Sequence, residues 1–586
     1  DVTNFTALEI AWRWTSITTE VRSQRERINA GLFKATPLMV GGLVYVSTAL
    51  GQVAALDAGT GESVWTYDPR SYERLERPAN IGWQHRGVSY WSDSKSDDSR
   101  IFIATHDQRL IALDARTGAL YPDFGESGIV DLTVSLGRPT DRARLTHSSP
   151  VAVVGDTVVV GSSLTDQTRT REAPPGHVRA FDARTGSMKW IFHTIPQGDE
   201  FGVDSWQNES WRYTGHTNVW GNMAVDEELG YVYLPVSTPT NDWYGGMRPG
   251  NNLFAESIVC VDAETGQRVW HFQAVHHGLW DYDFPTAGNL VDVTVDGRPI
   301  KTIAQPSKQA FTYVFDRVTG EPIWPIVERP VPGSNTPGEW ISPTQPFPTK
   351  PLPFDRHGIT EDDLIDFTDE LKAEALEIVE PYILGEIFTP PSIRGDDATD
   401  TKGTLQLPGS VGGAEWGGAG FDPETGMLYI PSVTGAFAAD LTPGNPDRMN
   451  VRFTRGTRAF PEGPRGLPLT KPPYGRITAI DMNTGEHLWM TPLGNGDRIR
   501  NHPMLRALDL PPLGGDDSRS GPVLTKALLV HALTAGGTDG GPRLVAYDKA
   551  TGQPVGSVDL GGGAIGTPMT YMLDGVQYIA LTVGGE

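Results

Sequence analysis

Short apolar runs separated by turn residues fill most of this chain, and stretches with helical spacing are few. The first unit shows the pattern: Leu43-Val-Tyr-Val-Ser47 leads through a loop to Gln52-Val-Ala-Ala-Leu56. Asp57-Ala-Gly-Thr-Gly61 then turns the chain into a third run that carries Trp65. Runs of this kind, bounded by Gly, Asp and Ser, read as strands. The Asp-x-x-Thr-Gly pattern begins again at Asp114, Asp182, Asp262, Asp316, Asp422, Asp481 and Asp548, which makes eight copies. In five of them a tryptophan (Trp65, Trp190, Trp270, Trp324, Trp489) stands eight residues after the Asp. Asp can bond nearby backbone amides, Gly tolerates positive φ, and the Trp is expected to pack between neighbouring sheets. Repeats of one supersecondary unit stack to bury their faces. Three or four strands per unit and eight units predict an all-β fold, a β-propeller of eight blades, with residues 1–586 forming a single domain.

The longest gap between copies, from Asp316 to Asp422, predicts an insertion over about 325–410. It holds a Pro-rich stretch from Pro330 to Pro353 and an acidic segment near Thr360–Val379. There Leu364, Phe367, Leu371, Ala375 and Ile378 recur at helical spacing, which predicts one face docked on the propeller. Leu8-Glu-Ile-Ala-Trp-Arg-Trp14 is expected to form a strand that completes the last blade, so that no sheet edge stays open.

Composition narrows the function. The formal charge of -24 argues against nucleic acid, whose phosphates need a basic surface, and fits neutral or cationic partners. No run approaches the ~18 apolar residues of a membrane helix. The single cysteine, Cys260, rules out an intrachain disulfide and cysteine-based metal or haem attachment; its setting, Ile-Val-Cys-Val-Asp, reads as buried strand. The chain opens at Asp1 without Met or signal peptide, which suggests a processed product.

Chemistry is expected where the copies stop resembling one another. The loop after the first strand expands to Gly161-Ser-Ser-Leu-Thr-Asp-Gln167 and onward to Gly176 in the third copy, and to Ser237 through Arg248 in the fourth. Both place oxygen-bearing side chains (Asp166, Gln167, Thr240, Asn241, Asp242) at corresponding positions. Hard cations such as Ca²⁺ want several such ligands, although ordinary solvated loops carry the same residue types. His276-His-Gly-Leu-Trp-Asp-Tyr-Asp283 is the densest cluster, in which Asp281 suits a general base or a metal ligand. Lys308 precedes the strand Phe311–Phe315. Trp83-Gln-His-Arg-Gly-Val-Ser-Tyr-Trp91 pairs cationic and aromatic groups suited to an anionic planar ligand. Thr217-Asn-Val-Trp-Gly221 and Gly412-Gly-Ala-Glu-Trp-Gly-Gly418 add Trp220, Glu415 and Trp416, the second within glycines that allow close backbone approach.

His-Arg-Gly-Val-Ser-Tyr at 85–90, Gly-Ser-Ser-x-Thr-Asp at 161–166, Asn-Val-Trp at 218–220, Trp-Asp at 280–281, Ala-Glu-Trp-Gly-Gly at 414–418 and Thr-Pro-Met-Thr-Tyr at 567–571 carry a resemblance. Over nearly its whole length the chain resembles the pyrroloquinoline quinone (PQQ)-dependent alcohol and glucose dehydrogenases. Its spacings look most like the membrane glucose dehydrogenase branch. The resemblance implies a floor for PQQ at Trp220, Ca²⁺ ligands at Asp166, Asp281 and Thr240 or Asn241, and Asp281 as the catalytic carboxylate. Arg86 and Lys308 would contact the quinone and carboxylate oxygens, and His85, Thr146, Ser148, Glu415 and Trp416 would line the site. Asp281 would take the hydroxyl proton of an alcohol as hydride passes to PQQ, with Lys308 beside it. An external cytochrome c or quinone would accept the electrons, and a periplasmic location would follow.

Two departures stand out. Many relatives cover PQQ with a disulfide between adjacent cysteines; here Trp83, Gln84 or His85 must serve. Position 415 is Glu where the family usually has Asn, and a carboxylate there repels an anionic cofactor unless it is protonated or paired with a cation. The competing readings are a non-catalytic propeller scaffold and a propeller hydrolase using Asp281 and Glu415. The substrate is left open between secondary or cyclic alcohols, polyols and sugars. Its pocket is expected among the loops of Trp83, Trp243, Tyr244 and the insertion.

Overall fold

Each Asp-x-x-Thr-Gly turn closes on itself before it meets a neighbour. Asp57 Oδ1 accepts from the amides of Gly59 (3.0 Å) and Thr60 (2.9 Å) and from the Thr60 hydroxyl (3.0 Å). Gly61 N donates to Asp57 O at 2.9 Å, and Gly61 takes φ +73, which a side chain would strain. The structure is a computed structural model. It describes residues 3–584 apart from 26, 32, 81, 167–168, 396, 398–399, 458, 516–518 and 535–540.

These turns tie short strands into antiparallel meanders. Leu38–Val40, Leu43–Ser47, Val53–Asp57 and Ser63–Tyr67 form the first, in chain order. Four-stranded meanders follow at residues 89–131, 152–192, 224–273, 420–492 and 523–559. Residues 289–316 form a three-stranded one, and Met569–Leu573 pairs with Val576–Ala580 in a hairpin. The architecture is all-β with few helices.

Copies of the turn and sheets do not correspond one to one. Asp422 turns Gly420–Asp422 into Met427–Val433, and Asp481 turns Gly475–Asp481 into Glu486–Pro492; all four strands belong to one sheet. The hairpin at 569–580 turns instead through Asp574-Gly575. The count of eight copies therefore does not by itself count blades. The turn chemistry is local and can serve any tight hairpin.

Tryptophans join successive sheets. Trp65, Trp190, Trp270 and Trp489 donate Nε1 to the carbonyls of Ala115, Ala263, Arg317 and Lys549 at 2.8–3.1 Å. Each acceptor follows the Asp of the next turn. Each ring lies on that turn's glycine: a Cβ at Gly118, Gly266, Gly320 or Gly552 would sit 2.5–2.6 Å from ring atoms. Glycine is needed there for close approach as well as for φ. The N-terminal segment joins the set through Trp12, whose Nε1 donates to Ala58 O (3.2 Å) and whose ring covers Gly61. Residues 8–14 form no strand, contrary to expectation, and contribute this indole instead. Apolar clusters run between adjacent sheets: Tyr45, Val53 and Ala55 pack with Ile101, Ile103 and Ile111, and Val44, Val46 and Leu56 with Tyr571 and Ala580.

The insertion holds a hairpin (Ile326–Pro330 with Thr344–Pro348) and one helix, Asp369–Val379, capped by the Thr368 hydroxyl. The helix is shorter than the Thr360–Val379 expectation because Glu361–Asp363 forms a separate single turn with its own capping box. Leu371, Ala375 and Val379 are buried against Leu405, Ala438, Leu467, Leu469 and Leu513. The helix thus docks on a second insertion, residues 434–474, and on residues 493–515, rather than on the repeated sheets. Among the described residues no helix is long and apolar enough to cross a membrane. Cys260 is a free, buried thiol.

Trp270 is only 5% exposed, so Trp270→Ala is expected to cost about 3–5 kcal/mol in urea unfolding. Trp12→Ala, at a half-buried position, should cost about 1–2 kcal/mol. Unchanged unfolding of the Trp12 variant would show that the N-terminal segment does not brace the first sheet.

Candidate active site

The entry segments of the sheets carry the candidate residues. Lys34, Ser148, Trp220, Trp416 and Arg519 each stand four residues before the first strand of their sheet, and Arg86 stands three before. Asp281 and Asp283 lie between the fourth sheet and the strand Asn289–Val295, and Lys308 lies in the turn after Arg298–Pro306.

Lys308 is the hub. Its ammonium donates to Asp281 Oδ1 at 3.0 Å and to Asp283 Oδ2 at 3.1 Å, and it lies 5.8 Å from the centre of the Trp220 ring. Asp283 is fully engaged: Oδ2 also accepts from Trp220 Nε1 (3.0 Å), and Oδ1 accepts from the amide and hydroxyl of Thr238, both at 2.7 Å. Asp281 is held at φ +56, a conformation uncommon for a residue with a side chain and one that clusters at functional sites.

Charge balance splits the two acids. Burial disfavours the Asp283 carboxylate, yet Lys308 and the Thr238 donors hold it down at about 2. Asp281 rises to about 7, through burial first and then the neighbouring Asp283 and Asp166, with Lys308 opposing. Burial also works against the Lys308 ammonium, but Asp281, Asp283 and Glu415 outweigh it and raise the group above its usual value.

A second acidic group lies beside the first. Asp242 is buried and pushed well up by burial and by Asp281 and Asp166. Asp166 accepts from Asn80 Nδ2 (2.9 Å) and faces His216 Nε2 at 3.1 Å. His216 Nδ1 faces the Thr238 carbonyl at 2.7 Å, so both ring nitrogens must donate. Burial opposes its charge, but Asp166, Asp242 and Asp283 raise it to about 9. Thr240 and Asn241 are buried in the same loop; among the described residues Thr240 Oγ1 and Asp242 Oδ1 have no hydrogen-bond partner. Among the described residues no three His, Cys, Asp or Glu side chains stand as a metal-ligand set. Gln167 lies outside the described residues.

Around Trp220 and Trp416 the site is cationic. Arg86 donates to the hydroxyls of Ser148 (3.0 Å) and Ser149 (3.1 Å), and its guanidinium stands 5.1 Å from the Trp220 ring centre and 5.4 Å from that of Trp416. Burial lowers it to about 10, with Glu415 opposing. Glu415 is raised by burial, while Arg519, Lys308, Lys34 and Arg86 all favour its charged form. The carboxylate that looked repulsive in sequence is therefore surrounded by cations.

The remaining candidates sit deeper. His85 is buried; its Nε2 donates to Ala104 O (3.0 Å) and its Nδ1 lies 3.0 Å from the Ser47 hydroxyl. Both nitrogens are thus engaged, and burial keeps the ring neutral, at about 3. Thr146 donates its hydroxyl to His106 O at 3.1 Å. Trp83 packs edge-on to His106, and Gln84 accepts from Lys34. Trp243 and Tyr244 are buried against Phe437 and Phe453 of the second insertion, so they brace that loop.

Asp283, His216, Lys34 and Arg519 were not assigned roles from sequence. Asp283 is visible in the cluster but indistinguishable there from a surface acid. Lys34 and Arg519 become visible only when segments are aligned on the first strand of each sheet rather than on the Asp-x-x-Thr-Gly turn.

The sheet-repeat scaffold thus gathers a buried lysine, two tryptophans and opposed charges at one place. The model of the PQQ glucose/ethanol/alcohol dehydrogenase beta-propeller domain matches residues 1–579, and the chain belongs to that family. It is similar to a quinoprotein glucose dehydrogenase of Escherichia coli, 32% identical over 94% of this chain and 70% of that protein. A glycerol dehydrogenase large subunit of Gluconobacter oxydans is 33% identical over 94% of this chain and 76% of its own length. The fold is shared with a quinohemoprotein alcohol dehydrogenase of Comamonas testosteroni (TM-score 0.67, 23% identity, all of this chain and 73% of that one). The protein is thus a PQQ-dependent oxidoreductase acting on CH–OH groups of alcohols or sugars.

Asp283→Ala should cost about 3–5 kcal/mol in urea unfolding, because Lys308 loses an acceptor and the Trp220 and Thr238 donors lose theirs. Since the Asp283 carboxylate is held below its ordinary value, its contribution is complete above about pH 4 and is lost as pH falls toward 2. A variant equal to wild type at pH 6 would show that the pair is slack.

Proposed function

We propose that this protein oxidises a secondary or cyclic alcohol, a polyol or a sugar to the carbonyl compound, using PQQ and Ca²⁺, with Asp281 as general base. The observation that carries this reading is Asp281 itself. It is a partly buried acid raised to about 7, fixed in a left-handed turn and 3.0 Å from Lys308, whose ammonium lies 5.8 Å from the centre of the Trp220 ring. A base is most effective when its pKa lies near the working pH.

The residues present fit both groups. Gln84 Nε2, Arg86 Nε and Trp416 Nε1 are buried donors with no acceptor among the described residues, and Lys34, Arg86, Lys308 and Arg519 supply positive charge around them. A planar tricarboxylate suits that set, with Trp220 as its stacking face and His85, Thr146, Ser148, Glu415 and Trp416 around it. Burial, Asp281 and Asp166 raise Asp242, burial, Asp283 and Asp166 raise Asp281, and among the described residues Thr240 Oγ1 and Asp242 Oδ1 lack partners. A divalent cation bound by Asp166, Asp281 and Thr240 or Asn241 would relieve that repulsion. When bound, PQQ supplies the two-electron acceptor and Ca²⁺ a Lewis acid.

The chain's own part is to orient and to move a proton. Asp281 takes the substrate's hydroxyl proton, and Lys308 offsets the charge that Asp281 and Asp283 bear between turnovers. We further propose that the sheets form eight blades of one closed ring over residues 1–586, because apolar clusters link each sheet to the next and the last hairpin to the first. An external cytochrome c or quinone accepts the electrons, the acidic surface suiting a basic cytochrome, and the location is periplasmic.

Purified protein supplied with PQQ and Ca²⁺ should reduce an artificial dye with some member of a panel of primary, secondary and cyclic alcohols, glycerol and sugars. It should fail when either addition is omitted. Asp281→Asn should lower kcat by about 10²–10⁴-fold and leave PQQ binding in place. No PQQ binding and no dye reduction would favour a scaffold role; full activity in Asp281→Asn would remove that residue from the mechanism.

A further inference from the structure

Lys34 lies in a segment that no motif of the chain marks. Its ammonium stands 4.4 Å from the centre of the Trp416 ring, which the guanidinium groups of Arg86 and Arg519 face at 5.4 and 5.7 Å. It donates to Gln84 Oε1, and among the described residues it makes no ion pair. A largely buried ammonium without a paired anion is costly. The carboxylate that acts on it, Glu415, is shared with Arg519, Lys308 and Arg86. Among the described residues three cations therefore converge on one indole with a single acid acting on them, and Gln84 Nε2 beside them has no acceptor. This arrangement is short of negative charge.

We propose that Lys34 is a cofactor-binding residue of this protein, which with Arg86 and Arg519 forms a cationic rim holding a carboxylate of PQQ, and that Glu415 limits how tightly that rim binds. The proposal rests on the cofactor reading above. It also accounts for Glu415, which keeps the rim from being a cluster of like charges when no anion is bound.

The rim is sensitive to pH in a defined direction. Burial, then Arg86 and Arg519, bring Lys34 down to about 7, with Glu415 opposing. An anion against it favours the charged form, so binding above pH 7 takes up a proton and affinity falls as pH rises from about 6 to 9. The cofactor's carboxylates, with ordinary values near ~4, stay ionised over that range. The charged groups facing Lys34 are Arg86, Arg519 and Glu415. Of these Glu415 is itself raised and contributes in the same direction, so its removal isolates the lysine.

The test is equilibrium titration of cofactor-free protein with PQQ in the presence of Ca²⁺, followed by tryptophan fluorescence between pH 6 and 9. Lys34→Met should raise Kd about 10–100-fold at pH 6, with the gap to wild type closing toward pH 9. Lys34→Arg should keep the pH 6 affinity and lose most of the pH slope, because its charge does not titrate there; a merely structural lysine would not produce that split. Glu415→Gln should bind more tightly and retain the slope due to Lys34. The proposal is overturned if wild type binds PQQ and Lys34→Met binds it equally well at pH 6, or if Lys34→Arg keeps the wild-type slope. Failure of wild type to bind PQQ at any pH overturns the cofactor reading and this proposal with it.

Discussion

An indole lying flat on the glycine of the next turn sets the spacing of this molecule. The ring approaches so closely that no Cβ fits beneath it, and its Nε1 is satisfied by the carbonyl beside the turn. Four sheets, those carrying Trp65, Trp190, Trp270 and Trp489, are thereby each pinned to the next turn by one hydrogen bond and one large buried surface, independent of what the loops contain. Loops freed from holding the sheets together can vary in length and carry chemistry. The entry segments use that freedom. Lys34, Arg86, Ser148, Trp220, Trp416 and Arg519 occupy nearly the same position relative to six different sheets, and the packing of those sheets brings three of them, Lys34, Arg86 and Arg519, against the rings of Trp220 or Trp416.

Much of this was legible in the sequence because the repeated elements are local. The Asp-x-x-Thr-Gly hydrogen bonds, the strand that precedes each turn and the tryptophan that follows depend on neighbours within about ten residues. The errors came where identity in sequence hid a difference in place. Asp422 and Asp481 make the same turn in two hairpins of one sheet, side by side, and Trp12 does the work of a docking tryptophan without any Asp eight residues before it. The helix Asp369–Val379 showed its apolar face, but its partner, the 434–474 insertion, was concealed within the gap between two copies.

The site divides in the same way. Trp220, Asp281, Lys308, Arg86 and Trp416 sit in short motifs that a family resemblance can mark, and the structure gathers them. Asp283, His216 and Lys34 have no such mark, because their significance lies in contacts across 25 to 50 residues or more. Asp283 in particular has a role that only geometry reveals. It takes four donors on two oxygens and so stays ionised, which leaves Asp281, two residues along, as the acid whose charge is unsettled.

That division between two neighbouring acids explains why Lys308 needs both. With Asp283 alone, the lysine would be a paired structural charge, and Asp281 would have no reason to remain near an ionised state in a buried place. With Asp281 alone, every gain of a proton there would leave a buried ammonium without a partner. Sharing the lysine lets Asp281 change its charge while the ammonium keeps a permanent counter-ion in Asp283. The same logic operates at the other end of the site, where Glu415 is the standing partner of several cations and an incoming anion is the variable one. In both places a resident carboxylate balances buried cations while a second negative charge, on Asp281 or on an incoming anion, comes and goes.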